Sequence, residues 1–149
     1  QLFNKTNQMN LSTRRLNREE LLEWIKEKNR FVFLYSLKDR FGDLGIIGLV
    51  SIEINLKEAM IVDFILSCRA MGRNIENMIL SHIKNFLITK HIDVLSALYK
   101  ETNRNSPVLD MLKKSDFQEK KKNLFKRTKI SNYFKSDSNI KFEKTNDQD

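Results

Sequence analysis

The residues richest in chemistry are consecutive: Cys68-Arg69-Ala70-Met71-Gly72-Arg73-Asn74. They lie where strand-like patterning gives way to helix-like patterning. A helix begins with unpaired backbone N–H groups and a positive partial charge. Gly72 lets the backbone come close to an anion, and Arg69 and Arg73 add charge. The run, with Met71 and Asn74 in its frame, therefore reads as a phosphate-binding loop. Cys68 ends the preceding strand, and thiols beside arginines and helix starts are often nucleophiles that can hold an acyl group as a thioester. The same residues also fit an ordinary strand-to-helix connection with solvated arginines. A lone cysteine is commonly a small buried hydrophobe.

Other candidates are weaker. His82 sits beside the apolar stripe of a helix and His91 in the turn after it, with no other His or Cys at ligand spacing, so no metal site is expected. Asp63 alternates with Ile61 and Ile65, which suits a hydrogen-bonded sheet carboxylate or a group that orients a catalytic one. No P-loop and no G-x-S-x-G motif is present. Lys120–Lys122 with Lys126 and Arg127 read as a solvated face rather than a nucleic-acid surface, because no recognised binding motif accompanies them.

The elements that must position the loop follow from periodicity. Gln8–Arg14 alternates enough for a short edge strand. Asn17 and Glu20 form a capping-box pattern ahead of a helix over Arg18–Asn29. Strands are expected over Phe31–Lys38, Ile46–Asn55 and Met60–Cys68, joined by short turns and therefore antiparallel. Ile75, Met78, Ile79, Ile83, Phe86 and Leu87 recur at helical spacing over Asn74–Thr89. A strand over Val94–Lys100 then gives a parallel crossover unit. Ser106-Pro107 reads as an N-cap and first helical residue. Phe117–Arg127 and Ile130–Phe134 suit late strands, and Ser136–Asp149 a disordered tail. The class is α/β with a mixed, mostly antiparallel sheet flanked by helices.

The chain has 149 residues, 40% hydrophobic and 31% charged, which is enough for one globular domain and a tail. No apolar run approaches the ~20 residues of a membrane helix. One cysteine excludes an internal disulfide and suits a reducing, cytoplasmic compartment. The 27 Lys and Arg exceed the 19 Asp and Glu, for a net charge of +8. Such a surface attracts anionic partners, although a lysine-rich compositional bias gives the same number. The chain opens on Gln1 without an apolar leader, which reads as a processed chain or a piece of a longer one.

The element order and the R-x-x-G-x loop resemble a GCN5-related N-acetyltransferase (GNAT) domain. Four segments resemble, more narrowly, the C-terminal half of FkbH-like proteins. They are Lys5-Thr6-Asn7-Gln8-Met9-Asn10-Leu11-Ser12-Thr13-Arg14-Arg15, Leu37-Lys38-Asp39-Arg40-Phe41-Gly42-Asp43, Phe64-Ile65-Leu66-Ser67-Cys68-Arg69-Ala70-Met71-Gly72-Arg73 and Thr102-Asn103-Arg104-Asn105-Ser106-Pro107-Val108. That resemblance implies a GNAT-like acyltransferase domain over residues 1–135, preceded in the family by a HAD-type phosphatase domain that this chain lacks. It implies passage of a glyceryl-type group through an enzyme thioester to the phosphopantetheine thiol of an acyl carrier protein.

Carried over by position, Cys68 becomes the acyl-carrying nucleophile and Asn105 a polar group near the acyl or pantetheine amides. Arg69, Met71, Gly72, Arg73 and Asn74 become the phosphate loop. Asp39, Arg40, Gly42, Asp43, Thr102 and Arg104 contact substrate. Three positions depart from the usual GNAT pattern: Asn74 where Gly or Ala is common, Leu112 where a Tyr often protonates the leaving thiolate, and Asp116 before Phe117. Two alternatives remain open: an acetyl-CoA-dependent N-acetyltransferase, and a non-catalytic module that docks an acidic carrier.

Overall fold

In the computed structural model, which describes residues 5–130, three helices flank a sheet of six strands among those residues. The order is α1 (Arg18–Trp24), β1 (Arg30–Asp39), β2 (Gly42–Asn55), β3 (Glu58–Leu66), α2 (Ile75–Thr89), β4 (Val94–Leu98), α3 (Ser106–Lys114), β5 (Gln118–Lys121) and β6 (Leu124–Thr128). The sheet runs β1-β2-β3-β4-β6-β5. β1, β2 and β3 are antiparallel neighbours, as their short turns require, and β3 pairs with β4 in parallel across α2.

The local signals explain most boundaries. Asn17 Oδ1 accepts from Glu20 N at 2.9 Å while Glu20 Oε2 accepts from Asn17 N at 2.8 Å, so the expected capping box forms. The helix it opens stops at Trp24, five residues short of expectation, and turns follow. α2 buries Ile75, Met78, Ile79, Ile83 and Leu87, the stripe that its periodicity marks. At α3 the N-cap is Asn105 and not Ser106, which is already helical. Phe117–Arg127 is not one strand but a hairpin, because Asn123 at φ 63° makes a turn between β5 and β6. Ile130 lies outside the sheet, and 131–134 and the expected tail over Ser136–Asp149 fall outside the described residues.

The two sheet faces differ. One packs on α2, where Phe31 and Phe33 each meet Phe86 with ring centroids 5.0 Å apart, edge to face. Each such pair adds ~0.5–1.5 kcal/mol beyond area burial. The other carries Leu49 and Ile65, covered by Val32 and by Leu16 and Leu21 from α1 and the segment before it.

The expected edge strand at Gln8–Arg14 is the largest departure. It is not a strand and not at an edge: residues 8–12 turn and bend, with one antiparallel bridge from Asn10 to Ile65. β3 and β4 pair only from Glu58–Ile61 against Val94–Ala97. Beyond that register Leu11 N donates to Phe64 O at 3.1 Å, Leu66 N to Met9 O at 3.0 Å, and Lys100 N to Leu11 O at 3.0 Å. The N-terminal segment thus fills the gap between the two strands, with Met9 and Leu11 1% and 0% exposed. Asn10 between them is 1% exposed as well, so the segment is buried on all sides by insertion into the sheet centre and does not alternate.

Candidate active site

Cys68 opens a single 3-10 turn, Cys68–Ala70, whose Ser67 hydroxyl accepts from Arg69 N. The thiol is exposed and donates to Gln8 Oε1 at 3.8 Å. It is not at the start of the long helix: α2 begins seven residues later, at Ile75. What the thiol does reach is an open cavity of about 870 Å³, walled by Ser67, Cys68 and Arg69 on one side. Lys5 and Thr6 come from the N-terminal segment, Leu16, Asn17, Arg18 and Leu21 from around α1, and Leu34, Leu44, Ile46 and Leu49 from β1 and β2.

The phosphate loop that the sequence suggests is therefore divided. Arg69 and Cys68 face the cavity. Arg73 turns to the β1–β2 hairpin, where its Nη1 donates to Asp39 Oδ2 at 2.8 Å. Gly72 takes φ 74°, a conformation that only glycine adopts without cost, and a Cβ there would meet nothing within 4 Å. Asn74 takes φ 61° and its side chain makes no capping bond to α2, accepting instead from Asn77 Nδ2. The amino end of α2 carries the unpaired N–H groups and positive partial charge of any helix start.

The hairpin residues are brought to this loop but not into the cavity. Asp39 Oδ1 accepts from Phe41 N at 2.8 Å. That backbone bond first, then Arg73, holds the Asp39 carboxyl below the usual carboxylate range. Asp43 accepts from Gly45 N at 2.7 Å, Gly42 closes the turn, and Arg40 lies 4.5 Å over the exposed Phe41 ring. Thr102 and Arg104 are exposed in the loop before α3, away from the cavity wall.

Asn105 requires a correction. It is fully buried, its Oδ1 accepts from Tyr99 OH at 3.0 Å and Thr102 N at 2.8 Å, and its Nδ2 donates to Asn10 O at 3.0 Å and Lys100 O at 2.8 Å. A carboxamide has two donors and two acceptor lone pairs, so nothing remains for an acyl group or a pantetheine amide. Asn105 ties the end of β4 to the inserted segment. Asp63 is likewise structural: fully buried, it accepts from Ser12 Oγ at 2.7 Å, from Arg14 Nε at 3.1 Å and from Ser51 Oγ. His82 belongs to the opposite face, its Nδ1 2.9 Å from Tyr35 OH, and burial pushes that phenol far above its ordinary value.

Sequence reasoning did not foresee Lys5, Arg18, Leu34 or Ile46 as site residues. The available signal was slight: Leu34 and Ile46 are 58% and 52% exposed, apolar residues that their own strands leave uncovered. Among the described residues no group of three or more His, Cys, Asp or Glu could hold a metal ion, and no helix is long and apolar enough to cross a membrane.

No family model and no curated protein matches the sequence. Solved structures do match its shape. A protein assigned to the GNAT acetyltransferases from Desulfovibrio desulfuricans superposes with a TM-score of 0.61 over 74% of this chain and 76% of its own, at 7% identity. The ribosomal-protein-S18-alanine N-acetyltransferase of Escherichia coli gives 0.58 over 85% of this chain and 83% of its own, at 11% identity. The fold is that of a GNAT acetyltransferase. A spermidine/spermine N-acetyltransferase from Vibrio cholerae, at 14% identity, gives 0.55 over 76% of this chain and 72% of its own. Such identities carry the GNAT fold, not the substrate.

A coenzyme or carrier arm would bring amides that seek partners along the sheet. Phe64 O and Leu66 N, the groups along β3 that could pair with amides of such an arm, already bond the chain's own Leu11 and Met9.

Proposed function

We propose that the chain is an acyltransferase domain of the GNAT fold in which Cys68 receives an acyl group and passes it to a second thiol. Support comes first from the cavity wall. Among its described residues there is no carboxylate, imidazole or phenol, so none would take the proton of an ammonium acceptor; of the nucleophile types on it, Lys5, Thr6, Ser67 and Cys68, the thiol is the one that would hold an acyl group as a thioester. In the forward step the thiol gives its proton to solvent, the sulfur forms a C–S bond to the donor's acyl carbon, and the donor's leaving group departs. An incoming thiolate then attacks the Cys68 thioester, taking the acyl group and restoring the Cys68 thiolate.

The resemblance to FkbH-like proteins, carried by four segments in order, extends this reading. The acceptor is the phosphopantetheine thiol of an acyl carrier protein, the transferred group is small and of the glyceryl type, and a HAD phosphatase domain on the same or a partner chain prepares the donor. The carrier's phosphodiester would lie at the amino end of α2 beside Gly72 and Arg73. Intact-mass measurement after incubation with an acyl donor tests the step. A mass gain equal to one acyl group, absent from Cys68→Ala, is expected; equal labelling of both proteins removes Cys68 from the mechanism.

A second reading, transfer of acetyl from acetyl-CoA to an amine, is favoured by the neighbours that share the fold, several of which are named N-acetyltransferases. It expects stabilisation by acetyl-CoA and amine acetylation that Cys68→Ala leaves intact. The cavity would then need a proton acceptor from water or from the acceptor itself.

A further inference from the structure

The Cys68 thiol has two neighbours. One is the cavity, whose wall is aliphatic in part and carries the polar groups of Thr6, Asn17 and Ser67. The other is Gln8, which is exposed, does not line the cavity, and accepts the thiol's hydrogen bond on Oε1 at 3.8 Å. The two side chains are 60 positions apart, and fixed main chain brings them together. Beside Gln8, Met9 O accepts from Leu66 N at 3.0 Å, and Met9 is 1% exposed. On its other side, Thr6 O accepts from Asn10 Nδ2 at 3.2 Å. Beside Cys68, Ser67 N donates to Ile47 O at 2.7 Å. A carboxamide carries an acceptor oxygen and a donor NH2. The torsion that ends a Gln side chain is a soft one, so a half-turn replaces Oε1 by Nε2 beside the sulfur.

We infer that Gln8 is a catalytic residue of the thioester step, its amide N–H holding the acyl oxygen as that oxygen becomes charged. The inference rests on the reading of Cys68 as the acyl carrier. The thiol's proton goes to solvent. As the sulfur attacks, the C–S bond forms and the carbonyl's π pair moves to oxygen. Collapse returns the pair and breaks the bond to the leaving group. The charged oxygen is two bonds from the sulfur, so a side chain that touches the sulfur also reaches that oxygen. Donors serve an oxyanion from about 2.7–3.1 Å. With its chain in the cavity, an acyl group can turn its oxygen to Gln8. Arg69, next in sequence to Cys68, points its Nε at Ser67 Oγ, 3.5 Å away. The oxygen is charged again when the second thiol attacks, so one donor serves both half-reactions. The role makes no demand on the acyl chain and holds for a glyceryl group as for acetyl.

p-Nitrophenyl acetate and iodoacetamide are the probes, used on the full chain with intact-mass readout and with Cys68→Ala as the blank. Both form a bond to the Cys68 sulfur. The ester passes through an oxyanion and releases p-nitrophenolate, whereas iodoacetamide loses iodide in a direct displacement. Gln8→Ala, and Gln8→Met, which keeps the side chain's length without its amide, should slow acetylation of Cys68 at least about tenfold and leave alkylation within about twofold of the parent. The loss falls short of the roughly 10²–10³-fold that a donor in a closed site supplies, because Gln8 is exposed. Circular dichroism and melting of both variants should match the parent. Acetylation of both variants at the parent's rate overturns the role and leaves Cys68 as acyl carrier. An equal fall in acetylation and alkylation also overturns it, since Gln8 would then act on the thiol alone. A parent that is alkylated but not acetylated at Cys68 sinks the thioester reading and this role with it.

Discussion

Cys68, in the sequence's strongest signal, and Asp63, a weaker candidate, sit in opposite surroundings. Cys68 is exposed and leans on one side-chain contact, Gln8. Its replacement by Ala should change stability by no more than ~0.5 kcal/mol, as for surface positions generally, while removing acyl labelling; a large fall in the denaturant midpoint would show the thiol to be structural. Asp63 is fully buried with Arg14, Ser12 and Ser51 around it. Asp63→Asn leaves Arg14 without its counter-charge and should cost about 3 kcal/mol, read as a lower urea midpoint at constant slope. The sequence shows the alternation that turns Asp63 inward. Its partner Arg14 lies 49 residues away, and no local pattern encodes that pairing.

The hairpin contact carries the pH dependence. Asp39 is held below the ordinary carboxylate value by Phe41 N–H and then by Arg73. A depressed folded pKa means that the interaction is fully present above the unfolded value near 3.8 and is lost as pH falls through the lower folded one. An NMR titration of the Asp39 carboxyl should therefore have its midpoint below 3.8, and Arg73→Ala should move that midpoint upward. An unmoved midpoint would leave the Phe41 backbone bond as the whole cause and release the loop from the hairpin.

Elements whose signals are local are the legible ones. The capping box of α1 is complete in four residues, and Asn17→Ala should cost the protein ~1 kcal/mol. The stripe of α2 and the turn-linked β1–β3 meander depend on neighbours close in sequence. The inserted segment is different. Its polar and apolar residues suggest an edge strand, yet Met9, Asn10 and Leu11 are all buried and its backbone hydrogen-bond partners are Phe64, Leu66 and Lys100. Pattern gives a strand its buried face and says nothing of which strands stand on either side. The same distance hid Asn105's role. Its neighbours suggest a polar loop residue, while its contact with Asn10 spans 95 positions. The cavity was illegible for a related reason, since its wall is drawn from the N-terminal segment, α1, β1, β2 and the Cys68 turn, and only the last stood out chemically.

For the whole molecule, the inserted segment adds a second tie between the two halves of the sheet, beside the shared core. The meander β1–β3 and the group β4–β6 are joined by four paired residues, Glu58–Ile61 with Val94–Ala97. Met9 and Leu11 then bridge the opening, and Asn10 is held by Asn105. Burying one such apolar side chain is worth ~1.5–3 kcal/mol. Two of them, with the Ser12 and Arg14 bonds to Asp63, approach the ~5–15 kcal/mol that holds a typical domain together. A chain lacking residues 5–15 should therefore lose its cooperative thermal transition, with faster amide exchange at Phe64–Leu66 and Tyr99–Lys100 than in β1 and β2. Adding a synthetic peptide of residues 5–16 in trans should restore the transition in a concentration-dependent way, because an insert that binds only the folded state shifts stability by mass action. A shortened chain that melts cooperatively at the parent's midpoint would make the segment an appendage. The groups on β3 that it occupies would then be open to the amides of a pantetheine arm.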